Sequence, residues 1–386
     1  MTAVSTVALH PAPGVGEQRA TRIAFFIAGF AGSTWAALVP FAKAHARIGN
    51  GGLGLLLLCL GIGSIATMPV SGALTARFGC RPVISIAALV LVVTLPLLAT
   101  VSVVPLLVFT LMVFGAGIGT IDVAMNVQAI IVERGSGRAM MSGFHGLFSV
   151  GGIAGAGGMA VLLAAGASPL IASACVSVGI VGALAIAVSH LLPYGGRSGG
   201  PAFAIPRGIV LVISLMCFVL FLAEGAILDW SAIFLTSVRH VLASYAGLGY
   251  AAFAAAMTIG RLTGDRIVHW LGRERVVLVG GLCAAFGFIV TIVLPFWSGA
   301  ILGFALIGIG CSNIVPVLFT CVGRQSVMPE GLAMSAISTI GYTGVLAGPA
   351  AIGFIAQLTS LPSAFLIVAI MLVAVALCSR QLRRVV

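Results

Sequence analysis

Unbroken apolar runs of about 18–25 residues recur along the whole chain, and nothing else in the sequence limits its fold as severely. At 1.5 Å per residue in a helix, each run is long enough to cross a hydrocarbon layer about 30 Å thick. A membrane-spanning β-barrel is excluded, because barrel strands alternate apolar and polar residues over about ten positions. A soluble domain is excluded too: 61% of the residues are hydrophobic and 7% charged, with a mean hydropathy of +1.24, too little polarity to cover a water-facing surface. The chain reads as an all-α, multi-pass membrane protein embedded in a lipid bilayer.

Runs and breakers together predict twelve spans, at 23–42, 52–74, 82–101, 104–131, 141–164, 168–190, 208–234, 243–266, 276–295, 298–322, 332–356 and 361–379. The stretch PYGGRSGGPAFAIPR (193–207) divides them six and six, and its Gly, Pro and Ser content marks a linker. The expected organisation is a polar, disordered tail (1–22), a six-helix bundle (23–192), the linker (193–207), a second bundle (208–380) and a short end (381–386). A secretory leader does not fit the start, because the apolar run after Arg22 is longer than a signal core.

The net charge of +11 reflects topology, with no nucleic-acid partner implied. With the N-terminus inside, fifteen of the 19 basic residues fall in the cytoplasm, three (Lys43, Arg47, Arg239) outside, and Arg261 within a span. That asymmetry predicts cytoplasmic termini in a bacterial inner membrane. The eight cysteines form no C-x-x-C pair and the six histidines have no ligand spacing, so no metal is expected. No nucleotide-binding loop is present, so no cofactor is expected either, with a proton gradient as the driving force.

The two halves resemble each other. FAGSTWAAL (30–38) aligns with AEGAILDWSAI (223–233), placing Trp35 on Trp230. SVGGIAGA (149–156) aligns with YTGVLAGP (342–349), and Asp122 falls on Asn313. All three matches have an offset near 193 residues, which implies an internal duplication whose halves run the same way through the membrane. In such architectures the site lies between the halves.

Against this background GALTARFGCR (72–81) and GRLTGDRIVHWLGRER (260–275) resemble the loop signature G-x-L-x-D-R-x-G-x-R of the major facilitator superfamily (MFS). Gly72, Arg77 and Arg81 match the first copy, in which Ala76 replaces the acid, while the second keeps Asp265 and Arg266. The resemblance implies two pseudo-symmetric six-helix bundles, alternating access, and a charged latch at the cytoplasmic side, carried here by Asp265 alone. Asp265 also lies four residues from Arg261, at helical ion-pair spacing. DVAMN (122–126), SGFHGLFSVGG (142–152) and STIGYTGVLAGPAAIGF (338–354) resemble an inner-membrane branch near fucose-permease-like sugar symporters.

The residues that stand out are polar groups inside apolar spans. Asp122 lies twelve residues before Arg134, about 18 Å above the cytoplasmic boundary. An ionised carboxylate there costs about 2.5–3.5 kcal/mol on insertion scales. It therefore exchanges protons in a wet cavity or serves as hydrogen-bonding glue between helices. Asn126 shares its face, whereas Gln128 points away and packs between helices. Glu224 and His145 are further proton-coupling candidates, and Asp229 is a gate or helix-end residue near the outer mouth. Ser149, Asn126, Asn313, Tyr342, Trp35 and Trp230 form the expected solute site, suited to a neutral or polyhydroxy ligand. The glycine run GGIAGAGG (151–158) reads as a close helix contact.

The expected function is a monomeric secondary transporter of a small polar organic solute, sugar-like and proton-coupled, and not an enzyme. A proton-antiport exporter is the alternative, since GGIAGAGG also resembles the exporter signature except for Ala156 in place of Pro. A non-transporting receptor is a more distant one.

Overall fold

The computed structural model describes residues 13–47, 50–196, 205–242 and 245–384; positions 1–12 of the expected tail, 197–204 of the linker and 385–386 lie outside the described residues. The first half comprises α1 (Val15–Ala46), α2 (Asn50–Phe78), α3 (Cys80–Thr100), α4 (Val104–Ser136), α5 (Met141–Ala164) and α6 (Pro169–Ala187). The second comprises α7 (Ile209–Ser237), α8 (Leu248–Leu271), α9 (Arg273–Val293), α10 (Trp297–Ser312), α11 (Ile314–Val322), α12 (Glu330–Leu358) and α13 (Leu361–Cys378). Helices α10 and α11 are one rod interrupted at Asn313, which leaves twelve rods among the described residues. Eleven are long and apolar enough to cross a membrane. The twelfth, α8, is 24 residues long but carries Arg261, Asp265 and Arg266, which depress its hydropathy.

Two departures from the sequence reading have local causes. Helix α1 begins at Val15, within the stretch expected to be a disordered tail. Its polar first turns are held by tertiary contacts: Thr21 is fully buried and accepts a 3.0 Å hydrogen bond from the Gln128 amide of α4. Gln128 in turn accepts from the Leu192 backbone N–H at 3.2 Å, so it ties α1 to the end of the first half, as its position between helices suggested. The break at Asn313 was not anticipated, and Pro316 explains it. A proline three residues on cannot donate its backbone N–H, and its ring crowds the Ser312 carbonyl.

Elsewhere the chain ends its helices by ordinary means. Proline occupies the first turn of α4, α6 and α13, where its missing N–H has no partner to lose. The Ser168 and Ser360 side chains accept from Ile171 and Ser363 at the starts of α6 and α13. Gly137 closes α4 with a φ of 65°, a left-handed conformation that disfavours a side chain.

The packing repeats as the sequence does. Helix α1 lies against α5 as α7 lies against α12; α2 packs on α4 as α8 packs on α10; α3 contacts α4 and α6 as α9 contacts α10 and α13. Glycines set the closest approaches at equivalent places. A Cβ at Gly115 would strike the Leu60 carbonyl, and one at Gly308 the Phe253 carbonyl, two contacts exactly parallel in register. In the run read as a close contact, Gly151 abuts the Phe26 carbonyl of α1, mirrored by Gly344 on the Phe218 carbonyl of α7.

The halves meet along two seams, α2 with α12 and α5 with α8. Pro13 lies by Gly135, Gly16 by His190, Gly79 by Pro193, and Arg383 by Glu274, so the first and last described residues share one side of the bundle with the connections joining these helices. We call that side the terminal face.

Candidate functional site

Midway along the helices, two polar clusters straddle the division between the halves. In the first, Asp122 of α4 accepts a 3.1 Å hydrogen bond through Oδ2 from the Ser338 hydroxyl of α12. One turn on, the Asn126 amide donates to the Asp122 backbone carbonyl at 2.9 Å and approaches its Oδ1 at 3.5 Å. Asn126 is fully buried and its Oδ1 has no partner among the described residues. No lysine or arginine pairs with Asp122 among the described residues.

The second cluster centres on Arg261 of α8, which is 7% exposed. Its Nη1 donates to Ser149 Oγ of α5 at 3.0 Å, and its Nη2 lies 3.5 Å from Glu224 Oε1 of α7. Arg261 was expected to gate beside Asp265, but it pairs with Glu224 instead. Its side chain turns into the bundle, where the carboxylate of α7 is the accessible partner. Tyr342 links the clusters: it lies within electrostatic reach of both Asp122 and Glu224, with its ring edge-on to Phe221 at 5.8 Å.

Nearer the terminal face a separate set of contacts closes the seams. Asp265 Oδ2 of α8 accepts from the Gly143 backbone N–H at the start of α5, at 3.0 Å. The positive end of the α5 dipole favours an anion at that place. Glu133 of α4, 6% exposed, accepts from the Met140 and Met141 N–H groups at 2.8 and 2.7 Å and from Thr320 Oγ1 of α11 at 2.6 Å. On the other seam the Gly72 N–H donates to Ser335 Oγ at 3.0 Å, and Gly72 and Gly331 bring their backbones together. The first half's loop signature lacks its acid at Ala76, and α12 opens with an acid beside the Gly72–Gly331 contact. That acid, Glu330, pairs with Arg134 at 2.8 Å, and Arg134 also donates to the Gly323 carbonyl.

The remaining expected residues separate by position. His145 is buried between the Phe25 and Phe319 rings, at 5.1 and 5.6 Å, and makes no hydrogen bond to Asp122. Asn313 donates to the Gly260 carbonyl and to Ser312 Oγ, both at 3.0 Å, so its amide N–H groups secure the α10–α11 break against α8 and are not offered to a solute. Arg81 donates to the Leu191 and Ser189 carbonyls and anchors the end of α6 within its own half, not across the latch. Arg77 lies exposed over the Phe78 ring at 5.1 Å, and Arg266 is exposed. Asp229 is exposed on α7, one residue before Trp230, whose ring lies against Gly353 of α12. Trp35 is buried, and neither indole N–H has a partner among the described residues.

Sequence reasoning missed Glu133, Thr320 and Ser338. Glu133 was legible as an acid seven residues before the N-cap position of the next helix, within capping reach. Ser338 and Thr320 carry no signal, because hydroxyls inside spans usually bond their own preceding turn.

Twin six-rod halves joined along two seams, with unmatched polar groups between them, define a membrane transporter. The chain belongs to the Major Facilitator Superfamily, whose sequence profile matches residues 22–328. An uncharacterized MFS-type transporter of Yersinia pestis is 56% identical over 96% of this chain and 97% of its own length. The membrane protein MosC of Rhizobium meliloti is 30% identical over 92% of this chain and 87% of its own. The fold is also that of the E. coli fucose:proton symporter FucP, with a TM-score of 0.77 at 15% identity, covering 95% of this chain and 98% of that one.

Proposed function

We propose that the chain is a proton-coupled secondary transporter of a small, polar, sugar-like solute, with its terminal face toward the bacterial cytoplasm. Asp122 carries this reading: a carboxylate in mid-span, without a cation among the described residues, bonded to Ser338 of the opposite half. Protonation removes the cost of that charge in an apolar setting, and a solute or proton arriving there acts on a contact that both halves share. Asn126, Ser149 and Tyr342 supply neutral donors and acceptors around it. The fifteen basic residues expected at the terminal face, against three at the other, support the orientation. The latch contacts all lie between the midplane and that face, so rocking the halves about the central clusters exposes the site to alternate sides. The protein acts as a monomer.

The test is reconstitution into liposomes with an imposed pH gradient. Asp122→Asn abolishes gradient-driven accumulation and retains solute exchange at equal pH. Undiminished accumulation by that variant refutes the coupling role. An exporter would use the same residues, and the direction of flux under the gradient separates uptake from efflux.

A further inference from the structure

The transporter reading leaves the state of Arg261 unexplained. A guanidinium carries five N–H donors in a planar fork and is expensive to bury unless an anion meets it closely. Arg261 is 7% exposed, yet among the described residues its only charged partner stands at 3.5 Å through a single nitrogen, and its buried Nε has no partner. The exposed pairs of the same molecule are tighter, at 2.8 Å for Arg134–Glu330 and 2.7 Å for Arg383–Glu274. A pair that existed to hold α7 against α8 would be short and bidentate. Glu224 instead keeps a fifth of its side chain accessible and leaves most of the fork unused.

The position of Arg261 adds a second argument. Ten residues from the end of α8, it lies about 15 Å above the terminal end of that helix, at the level where a solute would bind. Its good hydrogen bond, at 3.0 Å, goes to a neutral hydroxyl of the other half, Ser149. Whatever anion seats on the fork beside Ser149 therefore touches both halves at once. Tyr342, in electrostatic reach of Glu224 and Asp122, supplies a phenol on the side toward the first cluster.

We propose that Arg261 and Ser149 form the receptor for a carboxylate carried by the solute, and that Glu224 is an internal stand-in which this carboxylate displaces. The substrate class is a small hydroxylated acid, such as an aldonate or a uronate, with its hydroxyl groups turned toward Asn126 and Tyr342. The inference rests on the transporter reading and narrows its solute.

Purified full-length protein is titrated by calorimetry with D-gluconate, D-glucuronate, D-glucose and D-glucosamine at one pH and ionic strength. The acids bind and the neutral and amino sugars bind at least about tenfold more weakly. Arg261→Lys, which cannot present a planar fork, weakens acid binding by about tenfold or more. Glu224→Gln tightens it about fivefold or more, because an internal competitor has been withdrawn. That gain is the sharper readout, since an Arg261–Glu224 pair of purely architectural role predicts none, and it stands even if the Arg261 variant fails to fold. Equal binding of glucose, binding of glucosamine alone, no binding of either acid, or an unchanged or weakened affinity in Glu224→Gln overturns the assignment. None of these outcomes touches the transporter reading, which fails separately if wild-type liposomes show no solute flux.

Discussion

Thr320→Val isolates one strand of the closure at the terminal face. The Thr320 hydroxyl of α11 donates to Glu133 Oε1 of α4 at 2.6 Å, both side chains are more than nine-tenths buried, and the bond spans the two halves. Valine keeps the shape and removes the donor. A hydrogen bond to a charged group contributes about 1.5–3 kcal/mol net, and leaving a buried carboxylate oxygen unmatched adds to the loss. At 1.4 kcal/mol per decade this shifts the balance toward a parted terminal face by about 10- to 100-fold. Glu133→Ala is a blunter change. It also removes two caps on the start of α5, for a total upward of about 4 kcal/mol, so folding suffers together with closure. The reporter is native: Cys321, next in sequence, is fully buried in the closed face. Alkylation of Cys321, followed by mass spectrometry of its peptide, tracks the population of the parted state. Thr320→Val raises the Cys321 rate by at least about tenfold, with a smaller loss of thermal stability than Glu133→Ala. An unaltered rate refutes the idea that this buried bond holds the halves together.

Three other changes probe the closure and the helix packing at different strengths. Arg134→Ala breaks the 2.8 Å pair with Glu330, but Arg134 is 53% exposed, so solvent screening limits the loss to about 1 kcal/mol and the Cys321 rate rises less than about fivefold. Gly308→Val drives a side chain into the Phe253 carbonyl and lowers stability by about 1–3 kcal/mol in thermal unfolding, whereas Gly158→Ala, with open space around its Cβ, leaves it unchanged or slightly raised.

The sequence by itself determined the membrane, the twelve spans and the duplication. Each rests on a property that survives without coordinates: apolar length sets the crossing, and a repeated register of glycines and aromatics sets the symmetry. It also singled out Asp122 and Glu224, because charge within an apolar run is costly wherever the chain leads, and it placed Arg261 within a span as a gating residue. Partners were another matter. Spacing along α8 suggested Asp265 for Arg261, and only the packing of α5, α7 and α8 shows that Arg261 turns to Ser149 and Glu224 while Asp265 caps α5. Asn313 matched Asp122 by symmetry, yet Pro316 breaks its helix, and its amide N–H groups are committed to Gly260 of α8 and Ser312 of α10. The cross-half partners of Glu133 and Ser338 lie 187 and 216 residues away in the chain. Local pattern encodes which side chains are expensive to bury, and tertiary structure alone decides which group meets each of them, since a hydrogen bond depends on distances of a few ångströms between elements that no periodicity records.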